Sequence, residues 1–286
     1  MPIDEVLSPR RWAGFDLSRP LVMGILNVTP DSFSDGGRFA VAEAAIAAGR
    51  AMRDAGADIV DIGGESTRPG AEAVTSEEES ARVVPVIRAL AEDGIAISID
   101  TRNAATMAAA LDAGARIVND ISGLRHDPRA AFLVAARGCP VVLMHMRGTP
   151  ATMGCHAHYA DLVREVIDEL AQRRDAALQA GIPPEAIALD PGFGFAKQGE
   201  QNLVLLRALG RFRALGHPLL AGVSRKRFIG ALAGEADPAR RDAGSIAAAL
   251  FAANRGAAIL RVHDVAGTAQ ALLVWRALGD EARHFE

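Results

Sequence analysis

Asp54-Ala55-Gly56-Ala57-Asp58-Ile59-Val60 decides the fold, because it returns as Asp112-Ala113-Gly114-Ala115-Arg116-Ile117-Val118 and, more loosely, as Arg255-Gly256-Ala257-Ala258-Ile259-Leu260. Each copy follows an alanine-rich amphipathic stretch. Glycine at that point suits the left-handed C-terminal position of a helix, and the β-branched run behind it suits a strand buried on both faces. The repeated unit therefore reads as helix, glycine stop, strand.

Working outward, candidate strands end near Leu26, Ile62, Ile99, Val118, Met144, Leu189, Val223 and Leu260, and most intervening segments have room for a helix. Thr75 and Ser76 each have a Glu three residues on, a capping-box pattern that opens one helix. Pro85 predicts a kink or an early break in it. Another helix is predicted over about residues 159–179, with Leu162, Val166, Leu170 and Ala177 on its apolar side. Short apolar strands alternating with helices mean a parallel α/β architecture. Eight such units in roughly 250 residues fit a (β/α)8 TIM barrel better than an open doubly wound sheet. No dinucleotide-binding glycine fingerprint follows the first strand, no phosphate loop occurs, and Gly192-Phe193-Gly194 lacks a third glycine. No linker rich in Pro, Gly or Ser divides residues 1–286, which read as a single domain.

Composition narrows the function. Half of the 286 residues are apolar and 23% are charged, enough to build a core, and with aromatics at 5% that core is aliphatic. A formal net charge of −4 argues against a general nucleic-acid or membrane-surface binder. Two cysteines, Cys139 and Cys155, cannot make a disulfide framework and fit a reducing compartment. The start, Met-Pro-Ile-Asp-Glu-Val, lacks the apolar core of a secretory signal, and no uncharged apolar run approaches the ~18 residues of a membrane helix. A soluble cytoplasmic protein is expected. Of 31 basic residues 29 are Arg and two, Lys197 and Lys226, are Lys. In such a chain a surviving Lys hints at a place where an ammonium serves and a guanidinium does not.

In a barrel of this kind the chemistry lies at the C-terminal ends of the strands. The polar residues there are Asn27, Thr67-Arg68, Asp100, Asn119, His145, Asp190, Ser224 to Lys226, and Arg261 with His263. Any one Asp or Asn is more economically a cap or turn residue; eight strand ends each delivering a polar group to one rim is not. Asp100, Asp190 and Asn119 can accept from a ligand edge rich in N–H donors, and a carboxylate facing two parallel donors is a strong, directional pair. Arg261 and His263, with Arg68 beside them, offer positive charge to an anion, most economically a phosphate. Asn27 and the nearby Asp31 and Asp35 are hard oxygen ligands suited to Mg²⁺ on phosphates. The rim predicts a nitrogen heterocycle at one end and a phosphate at the other. Ser224-Arg225-Lys226-Arg227-Phe228 is too short a basic cluster for nucleic acid. Cys155-His156-Ala157-His158 makes a poor zinc site, and His145, apolar on both sides, fits a hydrogen-bonded core histidine.

Leu26-Asn27-Val28-Thr29-Pro30-Asp31-Ser32-Phe33-Ser34-Asp35-Gly36-Gly37 and Asp61-Ile62-Gly63-Gly64-Glu65-Ser66-Thr67-Arg68-Pro69-Gly70 resemble the two signatures of the dihydropteroate synthases. So do Ile99-Asp100-Thr101, Val118-Asn119-Asp120, Leu189-Asp190-Pro191-Gly192-Phe193-Gly194-Phe195, Ser224-Arg225-Lys226 and Arg261-Val262-His263-Asp264-Val265. The resemblance spans about residues 21–265 and departs at Ala196 and Gln201, where many members carry Gly and His. It implies condensation of 6-hydroxymethyl-7,8-dihydropterin diphosphate with 4-aminobenzoate, releasing diphosphate and giving 7,8-dihydropteroate for folate. By the same resemblance Asp100, Asn119, Asp190 and Lys226 hold the pterin, with Asp100, Asp190 and Lys226 serving catalysis. Arg261, His263 and Asn27 hold the diphosphate, with Mg²⁺ on Asn27. Thr67, Arg68, Pro69, Phe33, Phe193 and Ser224 surround the aminobenzoate, the place where sulfonamides compete. A homodimer is implied as well. The chemistry agrees: diphosphate leaves well once its charge is neutralised, the resulting pterin methylene cation suits two carboxylates, and a neutral arylamine attacks without a strong base. Glycine-bearing loops 27–37 and 63–70 are placed to close and exclude water. Two other classes remain open on the residues alone: a pterin-binding barrel without this activity, related to methyltetrahydrofolate-binding modules, and a phosphosugar barrel enzyme. The Asn27 loop and the Arg261/His263 pair speak against the first, and the acid-lined rim against the second.

Overall fold

The computed structural model describes residues 11–29, 37–66 and 74–279. Its centre is a closed barrel of eight parallel strands: β1 (Leu21–Asn27), β2 (Ile59–Gly63), β3 (Ile97–Asp100), β4 (Ile117–Asp120), β5 (Val141–Met144), β6 (Ile187–Asp190), β7 (Leu219–Ala221) and β8 (Ala257–Val262). Sequential strands pair, and β8 closes the ring on β1 with Ile259 opposite Leu21 and Arg261 opposite Met23. The eight predicted strands are all present. Around them lie α1 (Gly37–Asp54), α2 (Ser76–Glu92), α3 (Ala104–Asp112), α4 (Ala130–Arg137), α5 (Leu162–Gln179), α6 (Gln201–Arg207), α7 (Arg227–Ala233), α8 (Asp242–Asn254) and α9 (Val265–Gly279).

The repeated glycine does what the sequence pattern requires. Gly56, Gly114 and Gly256 have φ of +100°, +112° and +93°, a region that costs an L-residue roughly 1–2 kcal/mol. Each turns the chain from a helix into the next strand. Period-2 alternation then sorts the strand side chains into two cores. Val60, Ile62, Ile97, Ile99, Val118, Val141, Leu143, Ile187 and Leu189 point outward to the helices. Leu21, Met23, Ile59, Ile117, Val142, Ala188, Leu220 and Ile259 fill the N-terminal half of the barrel interior. Burying each such side chain contributes about 1.5–3 kcal/mol, which holds the frame that carries the rim.

The floor of the barrel is a feature the strand pattern does not announce. Arg11–Trp12 and Phe15–Asp16 form a short antiparallel pair, turned at Ala13 and Gly14 with positive φ. It delivers Trp12, 1% exposed, into the interior core, where the indole N–H donates to the Ala186 carbonyl at 3.0 Å. Three helix expectations need correction. Pro85 does not end α2, which continues to Glu92. Both Pro85 and Ala81, whose carbonyl loses its helical donor, are exposed, so water can take the place of the missing N–H. The Thr75 cap is present, accepting from Glu78 N at 3.2 Å, but the Glu78 carboxylate pairs with Arg82 instead of returning to the cap. The fifth helix starts at Leu162, where Asp161 caps it by accepting from Arg164 N, three residues after the predicted start.

Candidate active site

Alternation along the strands decides which polar groups reach the inside of the mouth. Asp61, Asp100, Asn119, Asp190 and Arg261 share the inward face with Ile59, Ser98, Ile117, Ala188 and Ile259, two residues before each. They meet in one network. The Arg261 guanidinium donates from Nε to Asp61 Oδ2 and from Nη2 to Asp100 Oδ2, both at 2.6 Å, and Asn119 Nδ2 donates to the same Asp61 oxygen at 3.0 Å. Asp61 is fully buried, and its Oδ1 has no hydrogen-bond partner among the described residues. Two inward positions at the mouth are glycine. A Cβ on Gly63 would touch Asp100 and the Asn27 amide oxygen, and one on Gly222 would lie 3.9 Å from Asp190 Oδ2. The missing side chains keep a gap between the acids, open to a flat ligand.

Asp190 closes strand β6, 6% exposed. Its Oδ1 accepts from Gly192 N at 2.7 Å, so it also holds the turn that follows. Burial pushes its pKa up, and the Gly192 N–H, Lys226, Lys197 and Arg261 pull it down. Asp100 is pushed up to about 7 by burial against the pull of Arg261, with Asp61, Glu79 and Asp120 adding to the rise. Lys226 is drawn down to about 8, first by burial and then by Arg261, while Asp190 and Asp100 oppose. Its Nζ lies 4.4 Å from the centroid of the Phe195 ring, a cation–π contact. Behind it, Arg225 has φ of +58°, a strained conformation fixed from several sides. Its N–H donates to Ser245 Oγ, its guanidinium is bidentate on Asp242, and Arg241 binds its carbonyl. This clamp aims Ser224 and Lys226 at the mouth and occupies the cluster's first arginine.

Ser224 Oγ lies 2.9 Å from His263 Nδ1 and accepts from the His263 N–H. Burial, with Arg225, Arg261 and Lys226 nearby, lowers the His263 pKa to about 3. His263 is therefore neutral at pH 7, and the charge expected of it falls to Arg261. With Ser224 donating to Nδ1, the imidazole keeps Nε2–H as a donor. Asn27, at the end of β1, forms no side-chain hydrogen bond among the described residues. It offers one hard oxygen to a cation such as Mg²⁺, which usually keeps waters and phosphate oxygens as its other ligands. Among the described residues no group of three His, Cys, Asp or Glu could hold a metal by itself. A cation held by Asn27 together with phosphate oxygens and waters fits the donor set of the described residues.

Several expected residues sit elsewhere. His145 does not reach the rim: its ring lies behind the barrel wall, 1% exposed, with Nε2 3.1 Å from Glu169 Oε2 and Nδ1 2.8 Å from Lys197 Nζ. Strand β5 offers Met144 to the interior instead. Phe193 is 1% exposed and packs in the core between barrel and helices; Phe195 is the ring that meets Lys226. Phe33, Thr67, Arg68 and Pro69, with Asp31 and Asp35, lie outside the described residues. Glu65 is bidentate on Arg102 and accepts a long bond from Val74 N.

Three groups were missed in the sequence. Asp61 breaks an otherwise apolar strand at an inward position, and that was its signal. Glu79, buried on α2, accepts at Oε2 from Thr101, Asn103 and Thr106 and so fixes the chain just after Asp100. Lys197 carried only its rarity. A cavity of about 710 Å³ opens at the opposite end of the barrel, by the starts of β7 and β8, but none of the rim acids lines it.

Comparison with known proteins agrees with the geometry. The family model described as pterin binding enzyme matches residues 23–263. A dihydropteroate synthase of Neisseria meningitidis serogroup C is 48% identical over 266 residues, covering 92% of this chain and 94% of that protein. The solved Xanthomonas albilineans dihydropteroate synthase with 4-aminobenzoic acid is 52% identical, with a TM-score of 0.88 over 93% of this chain and 95% of that one. The structure of that enzyme in complex with 7,8-dihydropteroate gives 49% identity and a TM-score of 0.85, again over 93% and 95%.

Proposed function

The chain belongs to the dihydropteroate synthase family of pterin-binding enzymes, and from that premise we propose how its rim works. The reaction condenses 6-hydroxymethyl-7,8-dihydropterin diphosphate with 4-aminobenzoate to give 7,8-dihydropteroate and diphosphate. The observation that carries this reading is the inward network of Asp61, Asp100, Asn119 and Arg261, with Asp190 and Lys226 across the Gly222 gap.

Asp190 accepts from the amino group and adjacent ring N–H of the pterin, while Asn119 and Lys226 engage the rest of its polar edge. Arg261 takes the diphosphate with His263 donating from Nε2. A guanidinium that exchanges a carboxylate for a phosphate oxygen keeps its charge-assisted bonds. Asp100 loses that counter-charge, and the positive charge developing on the methylene carbon takes its place in favouring the carboxylate. As the C–O bond to diphosphate breaks, the positive charge left on the pterin faces Asp100 and Asp190, which need no reorganisation to stabilise it. The neutral arylamine then attacks the methylene, forming the C–N bond, and passes its proton to the departed diphosphate or to water. Asn27 would hold Mg²⁺, which when bound supplies neutralising charge to the leaving diphosphate. Thr67, Arg68, Pro69, Phe33 and Ser224 stand as the proposed surroundings of 4-aminobenzoate; Phe193, packed in the core, does not join them. The family's homodimer belongs to the same proposal, supported by exposed Leu273, Val274 and Leu278 along α9 and tested by light scattering in solution. A cytoplasmic setting is supported by two unpaired cysteines; no helix among the described residues is long and apolar enough to cross a membrane.

The test is diphosphate release from the purified protein with the pterin diphosphate and 4-aminobenzoate, with and without Mg²⁺. Turnover that needs both substrates is expected. Pterin binding without turnover would instead identify a binding protein.

A further inference from the structure

The chain has two lysines, and both grip the same turn. Lys226 lies over the ring of Phe195. Lys197, 4% exposed, reaches the turn from behind: its Nζ is 2.9 Å from the Phe195 carbonyl, 3.0 Å from the Gly192 carbonyl and 2.8 Å from His145 Nδ1. An ammonium has three N–H donors, and these three short contacts use them all. His145 can accept at Nδ1 because its Nε2 faces Glu169 at 3.1 Å. Glu169 is in turn held by Arg147, and its pKa lies well below the ordinary range although burial opposes the shift. The row Glu169, His145, Lys197 thus ends on the two carbonyls that shape the turn after Asp190.

That turn is tight. A Cβ on Gly192 would lie 2.0 Å from the His145 carbonyl oxygen, and the His145 N–H donates to the Asp190 carbonyl at 2.9 Å. Gly192, Gly194 and Ala196 all have positive φ. Asn202 binds the Gly194 N–H and the Lys197 carbonyl, and Tyr159 donates to the Ala196 carbonyl. A buried cation costs several kcal/mol in desolvation, and stability alone is usually served as well by an apolar side chain of the same length. Burial draws the Lys197 pKa down to about 7 against the pull of Asp190 and Glu169, so the cation is held at and below neutral pH at a cost that packing alone does not return.

We propose that Lys197 is a positioning residue for the pterin half of the reaction: its ammonium ties the turn after Asp190 to strand β5 and places positive charge behind the Asp190 carboxylate. The proposal rests on the assignment of Asp190 to the pterin. The groups facing Asp190 are Lys226 just before α7, Arg261 from β8, Lys197 and the Gly192 N–H. Those facing Lys197 are Asp190, Glu169, Lys226, Arg147 and His145. Taking away one of the three cations around Asp190 raises its pKa further, so its ionised form is lost at a higher pH as the solution is acidified.

The experiment measures binding of 6-hydroxymethylpterin to the full-length protein across pH, with steady-state kinetics, for wild type, Lys197→Met and Lys197→Gln. Both variants are expected to weaken pterin binding by about tenfold or more and to move the acid limb of the binding profile to higher pH. The KM for 4-aminobenzoate should stay within about twofold. A purely structural lysine would lower Tm and leave pterin affinity and the acid limb where they were, and that result overturns the proposal. Should neither variant fold, selective ¹⁵N labelling of the two lysines gives two Nζ signals in wild type. The Lys197 signal should then move on saturation with the pterin, and one that stays fixed overturns the proposal equally. A wild-type protein that does not bind 6-hydroxymethylpterin refutes the pterin assignment itself, and with it the role of Lys197.

Discussion

Replacing Asp190 by Asn removes one negative charge from the rim and almost no volume, so its two consequences separate cleanly. Asp190 Oδ1 accepts from Gly192 N at 2.7 Å, a bond that an amide oxygen keeps. The other oxygen lies beside the Gly222 gap, and there the variant places an NH₂ group. The pterin edge proposed for this position is made of N–H donors, and Lys226 and Arg261 are donors as well. A donor facing donors loses the bond and leaves buried polar groups unpaired. Breaking a buried, hydrogen-bonded charge pair costs about 3–5 kcal/mol, and at ~1.4 kcal/mol per decade this is two to nearly four decades of pterin affinity. Stability has the opposite sign. Burial raises the Asp190 pKa, so folding disfavours its ionised form at a cost that the unfolded chain does not carry. A neutral amide relieves that cost, and Tm should stay level or rise. Calorimetric titration with 6-hydroxymethylpterin and thermal melts on the same variant check both signs. A loss of affinity under about tenfold, or ~1.4 kcal/mol, together with a falling Tm would make Asp190 a turn cap and remove it from the site.

Lys226→Arg should lower kcat/KM for the pterin diphosphate by about tenfold or more despite the conserved charge, because a planar guanidinium cannot take the place of a compact ammonium between the Phe195 ring and the acids; near wild-type turnover would free Lys226 of its role. The pH profile of kcat/KM for the pterin diphosphate should be bell-shaped. As pH falls through about 7, Asp100 gains a proton and releases Arg261; as pH rises through about 8, Lys226 loses one. His263, lowered to about 3, stays neutral throughout and adds no limb, so a profile that stays flat through pH 7 and pH 8 is the refuting result. Excess chelator should abolish turnover, and Asn27→Ala should raise the Mg²⁺ concentration needed for half-maximal rate. Full activity in chelator would dismiss the cation.

The frame was legible because it is written in local rules. The glycine stop at Gly56, Gly114 and Gly256 needs no tertiary partner to be recognised, and period-2 alternation assigns an inside and an outside to every strand. Once Ile59 and Ile117 are inside, Asp61 and Asn119 are inside too, one layer nearer the mouth. What alternation cannot supply is which inward groups touch. Arg261 and Asp61 lie 200 positions apart in the chain and 2.6 Å apart in space, and only closure of β8 on β1 brings them together. His145 follows Met144, which pairs with the inward Asp190, so alternation puts the imidazole on the outer side toward α5, and the close approach of Gly192 to the His145 carbonyl packs the following turn tightly against it. The same crowding gives Lys197 its place. A chain that has drifted almost wholly to arginine keeps an ammonium where three acceptors converge on one point, since a guanidinium spreads its donors over a plane and would direct only part of them at the carbonyls of Gly192 and Phe195. Composition marked that residue as unusual, and only the packing of β5 against the turn after β6 says what the unusual charge is for.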